Sequence, residues 1–222
     1  MACEASTGHP TGGRSVKVPR APGRVSLVAG HGTAQDGGKV GVGRRREEML
    51  QMRALVVYES MFGNTRAVAE AIAAGLAAVG EVETLEVSEA PTGRLSGFDL
   101  LVVGGPTHAL GLSREQTRAS AVDETDQPLV STGIGLREWL DGLESPDGPI
   151  AAATFDTRTQ RPRVPGSAAA AAGRRLRRLG VARAVRPETF WVDGMTGPLV
   201  DGELERALRW GLALAEQVAP VA

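Results

Sequence analysis

The sequence predicts a three-layer α/β fold: a doubly wound sheet of five parallel strands in the order 2-1-3-4-5. Two observations carry that reading. From residue 52 onward, apolar strand-like runs alternate with amphipathic helical stretches, and such alternation implies parallel strands joined by right-handed crossovers. The first strand also runs through a short hydroxyl-rich loop into a helix, which puts a ligand loop where a doubly wound sheet reverses its winding.

The elements follow in order. Strand one, 53–58, contains Ala54-Leu55-Val56-Val57, a run suited to burial on both faces of a helix-covered sheet. Its helix is expected over about 64–79, with Val68, Ile72, Leu76 and Val79 buried and Gly80 as the stop. Val82 to Val87 alternates and reads as an edge strand. Residues 91–97 form a short connection to a central strand at 99–104. A helix over 135–143 places Leu136, Trp139, Leu140 and Leu143 on one side. Residues 149–155 read as strand four, 167–179 as an alanine-rich helix and 182–192 as an interrupted fifth strand. The last helix, 201–218, is expected to be capped by Asp201 and to bury Leu204, Leu208, Leu212 and Ala215.

Composition narrows the class. The chain has 222 residues and a formal net charge of −1, so neither sign points to nucleic acid. No apolar run approaches the roughly 18 residues of a membrane helix. The start, MACEASTGHP, lacks a secretory pattern, and a cytoplasmic location is expected. The single cysteine, Cys3, leaves no intrachain disulfide and no cysteine metal cluster. Residues 1–51 are rich in Gly, Pro, Ser, Thr and Arg, with eight basic and four acidic side chains. They predict a disordered N-terminal extension, and Met52, directly before strand one, is an alternative start. Residues 52–222 form one domain with 17 arginines, no lysine and 22 acidic residues. That length buries on the order of 70% of its unfolded surface.

The chemistry concentrates in Ser60-Met61-Phe62-Gly63-Asn64-Thr65, between strand one and its helix. Free N–H groups converge at a helix N-terminus, and the dipole there favours an anion. Ser60 and Thr65 offer hydroxyl donors, Asn64 an amide, and Gly63 close backbone approach. A nucleotide P-loop would need a lysine that the domain lacks, and a dinucleotide fingerprint needs three glycines where this loop has one. The plainer alternative is a polar turn that caps a helix.

The pattern S-x-x-G-N-T directly after a first strand resembles the phosphate loop of flavodoxins, which holds the terminal phosphate of FMN. Two more loops stand where that family places them. Gly104-Gly105-Pro106-Thr107-His108-Ala109-Leu110-Gly111 leaves strand three, its glycines allowing close approach to a flat ligand. Phe155-Asp156-Thr157-Arg158 ends strand four. With three matching loops, residues 52–222 resemble the flavodoxin family almost throughout. The resemblance implies FMN, with its phosphate on Ser60, Met61, Phe62, Gly63, Asn64 and Thr65. Around its ring it implies Pro106, Thr107, His108, Ala109, Phe155, Asp156, Thr157 and Arg158. It also implies electron transfer with a redox protein partner. An alternative is an FMN-dependent oxidoreductase of the quinone or protoporphyrinogen type, using His108 or Arg158 on a small quinone-like substrate. A flavin-free interaction module is a third.

Departures from the family pattern matter. The aromatic pair that usually sandwiches the flavin is missing, leaving His108, Leu110 and Phe155 as the nearest substitutes. The segment 105–131 exceeds an ordinary connection. A short helix capped by Ser113 within it is either surface decoration or a flap over the flavin edge. Arg158, Arg161 and Arg163 bring positive charge where electron-carrier flavodoxins place acidic residues. Arg174, Arg175, Arg177 and Arg178 suit a helix C-terminus and read as solvated, not as a nucleic-acid patch.

Overall fold

Strand β1 (Met52–Tyr58) sits inside the sheet because every residue but Arg53 is buried. The computed structural model describes residues 52–108, 110–122, 129–161 and 165–218. The expectation of disorder over 1–51 and the site residue Ala109 lie outside them. Helix α1 (Asn64–Leu76) returns the chain to edge strand β2 (Gly80–Glu86), and β3 (Leu100–Pro106) pairs on the other side of β1. Then come α2 (Glu115–Val122), α3 (Leu136–Asp141), β4 (Ala151–Thr159) and α4 (Ala168–Arg178). Strands β5 (Ala182–Arg183) and β6 (Glu188–Val192) precede α5 (Glu203–Val218). The main order is β2-β1-β3-β4-β5, all parallel, as expected. A sixth strand is an addition: β5 pairs the start of β4 and β6 its end, so the interrupted fifth strand is two strands.

Alternation along β1 splits the core. Ala54, Val56 and Tyr58 pack with α1 and α5, while Leu55 and Val57 face the cluster that holds α3 and α4. The three layers follow.

Four details correct the sequence reading. Helix α1 ends at Leu76, and Val79 is exposed. Gly80 opens β2 instead of stopping the helix, because a Cβ there would lie 1.9 Å from the Met52 carbonyl oxygen. In α5 the expected stripe is rotated: Leu204, Leu208 and Leu212 are exposed, while Ala207, Gly211, Leu214 and Ala215 are buried. Close helix packing is the reason. A Cβ on Gly75 would meet the Leu208 carbonyl at 2.4 Å, and one on Gly211 the Ile72 carbonyl at 2.3 Å. Small residues therefore face α1, and the leucines turn outward. Asp201 is exposed and lies before the helix; buried Glu203 instead accepts from the Trp191 N–H at 2.8 Å. Finally, β4 runs on to Thr159, so Asp156, Thr157 and Arg158 belong to the strand and not to a loop beyond it.

Candidate functional site

The β1–α1 loop is shaped by one glycine and one serine. Gly63 takes φ 88°, a left-handed conformation that favours glycine, just before α1 begins. The Ser60 hydroxyl accepts from the N–H of Gly63 (3.1 Å) and Arg66 (3.3 Å), which folds the loop over the helix end. The N–H groups of Met61, Phe62, Asn64 and Thr65 have no acceptor among the described residues. That leaves four donors at the positive end of a helix 13 residues long.

A cavity of about 280 Å³ opens from this cradle. Ser60, Met61, Phe62, Asn64 and Thr65 line one end, and Pro106, Thr107, His108, Thr157 and Arg158 the floor beyond. Thr65 and Thr157 join the two parts through a 2.7 Å contact between their hydroxyl oxygens. The far wall comes from Thr117 and Ser120 of α2, from Thr159 and Val192 at strand ends, and from Met195. Among the described residues Arg158 is the one charged side chain in the lining, which holds no acidic group. Its guanidinium donates to the Gly166 carbonyl at 2.8 Å and lies 5.6 Å from the centre of the Trp191 ring.

His108 follows β3 in a tight turn closed by paired backbone bonds with Gly111, at 2.9 and 2.7 Å. Its imidazole has no hydrogen-bond partner among the described residues. Burial, and then the positive charge of Arg118, push its pKa below the usual histidine value, so the ring is neutral at pH 7. Beneath the cradle, Glu59 is fully buried. One carboxylate oxygen accepts from the Leu136 N–H at 2.8 Å; the other has no partner. Burial raises its pKa, opposed by the Ser113 hydroxyl, the Leu136 N–H and Arg118.

The chain matches the flavodoxin family model over residues 56–137, a span that includes the cradle. Among solved structures, oxidised flavodoxin 1 from Bacillus cereus superposes with a TM-score of 0.54 at 20% identity, covering 77% of this chain and 99% of that one. A flavodoxin from the domain Archaea gives 0.51 at 20% identity over 75% and 99% of the two chains. A short-chain flavodoxin associated with a bacterial microcompartment gives 0.52 at 16%, over 76% and 99%. No curated protein matches by sequence. The chain has a flavodoxin-like fold.

The thirteen expected site positions among the described residues do not all behave alike. Ser60, Met61, Phe62, Asn64, Thr65, Pro106, Thr107, His108, Thr157 and Arg158 share the cavity. Gly63 shapes the loop without lining it. The Asn64 side-chain amide also donates to the Thr196 carbonyl at 2.9 Å, so it anchors the 193–198 loop. Phe155 lies in the core, edge-on to Phe190 and Trp210, because β4 continues four residues beyond it. Leu110 is exposed at φ 81° and does not line the cavity. Among the described residues Phe62 is the one Phe, Tyr or Trp side chain in the lining.

Asp156 is buried and also stands behind the wall. It accepts from the hydroxyls of Thr107 (3.0 Å), Ser167 (2.5 Å) and Thr189 (2.8 Å) and from the Ala169 N–H (3.1 Å). It fastens β3, α4 and β6 to β4 and thereby positions Thr107. The sequence reading missed Thr117, Ser120, Thr159, Val192 and Met195. For Met195 a signal existed: Gly194 and the Gly197-Pro198 pair mark a turn after a strand end, where doubly wound folds bind ligands.

Proposed function

We propose that this protein binds FMN non-covalently and serves in electron transfer. The observation that carries the reading is the continuity of one cavity from four unpartnered N–H groups at a helix N-terminus to a wall of threonines, Pro106, Phe62 and Met195. FMN has the matching parts: a dianionic phosphate, a hydroxylated chain and a flat ring. Met61, Phe62, Asn64 and Thr65 would hold the phosphate through their N–H groups, and the Thr65 hydroxyl would add a donor. Thr107, Thr157 and Thr159 offer hydroxyl oxygens further along, and Phe62, Pro106, Val192 and Met195 offer apolar surface. When bound, the flavin supplies the redox chemistry, and the chain sets its affinity, orientation and potential. Arg158 would favour negative charge at the ring end, and neutral His108 would meet a ligand as a hydrogen-bond donor or acceptor.

The test is selectivity between FMN and riboflavin, which differ in the phosphate alone. FMN is expected to bind more tightly. Thr65→Val should narrow the difference by about 1–3 kcal/mol through a lost charge-assisted bond. Equal affinities for the two flavins, measured by titration calorimetry, would refute the cradle and with it this function.

A further inference from the structure

The ring end of the cavity is walled on two sides by segments that the sheet itself does not require, and both are tied down. One is the insertion between β3 and α3. Its helix α2 turns Thr117 and Ser120 into the lining. Arg118, next to Thr117, has a side chain only 12% exposed and donates to the Ser113 hydroxyl and to a Glu138 carboxylate oxygen, both at 3.1 Å. That same Glu138 oxygen accepts from the Gly135 N–H at 3.0 Å, so the arginine clamps α2 onto the start of α3. Gly135 leaves room for it: a Cβ there would lie 2.3 Å from the guanidinium. The far end of the insertion is stitched to the cradle. The Val130 N–H donates to the Met61 carbonyl (3.0 Å), and the Ser131 N–H to the Ser60 carbonyl (2.8 Å).

The second wall is the loop 193–198. It closes on itself through the Asp193 N–H and the Pro198 carbonyl at 2.8 Å, and the Asn64 amide holds its Thr196 carbonyl. Met195 lines the cavity yet is 64% exposed, which puts it at the mouth. A folded partner docks over a patch of roughly 800 Å². Two raised walls around a cavity of about 280 Å³ suit a small molecule better.

We propose that α2, clamped by Arg118, and the 193–198 loop, anchored by Asn64, roof the ring end so that it admits small flat carbonyl compounds and shuts out folded proteins. At the mouth, the exposed part of Met195 offers apolar cover to a flat body stacked beyond the flavin, and the unpartnered imidazole of His108 suits a carbonyl oxygen. The choice of acceptor rests on the FMN reading above; the roof does not.

The roof is tested first without flavin. In a Cys3→Ser background of the full chain, Val192→Cys places a thiol in the cavity, and Thr159→Cys serves as a second position. Ala74→Cys, on the exposed face of α1, is the control. A small methanethiosulfonate and a maleimide carried on polyethylene glycol are compared. Relative to the control, the bulky reagent should be slower at the cavity thiol by about ten-fold, because it must await local opening. Arg118→Gln should abolish most of that difference. Equal normalised rates in the parent protein would overturn the roof, and an unchanged ratio in the Arg118 variant would overturn the clamp.

The ligand class is tested on the FMN-loaded protein by equilibrium dialysis with duroquinone, a flat quinone with no site for thiol addition. Binding should weaken by about five-fold in His108→Ala, the size of one hydrogen bond. Absence of duroquinone binding to loaded protein with an intact size filter would overturn the ligand class alone. Failure of FMN to bind while the size filter persists would instead refute the proposed function and leave the roof standing.

Discussion

The two ends of the cavity are built in opposite ways. The cradle end comes from six consecutive residues, Ser60 to Thr65; its turn is folded by bonds that span at most six positions, and longer ties from Val130 and Ser131 only hold it in place. The ring end gathers side chains from β3, α2, β4, β6 and the 193–198 loop, joined by contacts such as Asn64 to Thr196 that span 132 positions. A contiguous site can form wherever its strand and helix form. A dispersed site exists only when the whole domain has folded, so its geometry depends on buried fasteners far from any ligand.

The strongest way to break that contrast is to remove the main fastener. Asp156→Ala leaves three hydroxyls and the Ala169 N–H without their acceptor in a buried place. Each stranded donor costs about 1–3 kcal/mol, and relaxation reduces the total to about 3 kcal/mol or more. Chemical denaturation should show that loss. The surviving folded fraction should keep its preference for FMN over riboflavin while binding both less tightly, since the cradle has no bond to Asp156. A selective loss of phosphate recognition would mean that the two ends are not separately built.

Arg158→Glu sharpens the contrast electronically. A unit charge about 6 Å from the ring is worth roughly 2–3 kcal/mol at an effective dielectric of about 20, and solvent and salt reduce it to about 1 kcal/mol. The variant should therefore lower the second reduction potential of bound FMN by tens of millivolts. Affinity for oxidised FMN should stay nearly constant. Anaerobic spectroelectrochemical titration reads both, and coincident potentials would mean that the Arg158 charge does not act on the ring.

The smallest effect sits beneath the cradle, at Glu59. Its folded pKa is raised, so the folded state binds this proton more tightly than the unfolded chain does. The contribution is therefore fully favourable below the ordinary carboxylate value. It is lost as pH rises through the raised one. Glu59→Gln removes that dependence, and the difference in Tm between variant and parent should move in favour of the variant as pH increases above about 4.5. A difference that is flat with pH would place the titration elsewhere.

The same contrast explains what was legible beforehand. Strand order, the alternation of layers and the cradle depend on local pattern and on topology rules, and all could be read from residues 52–192. Phe155 could not be placed correctly, because its role turned on how far β4 extends. That extension is set by pairing with β6, from Glu188 onward. Asn64 carries the residue type of a phosphate ligand, yet its partner Thr196 lies on a loop that no local rule brings near. The outward leucines of α5 reflect a helix crossing that hydrophobic spacing alone does not reveal.

That crossing has a mechanical consequence. Where Gly75 and Gly211 meet, main chain rests on main chain, and no rotamer lies between α1 and α5 to absorb a displacement. The cradle is the head of α1. Its position is therefore geared to the C-terminal helix, and a push on the outer leucines of α5 arrives at the anion donors with little slack.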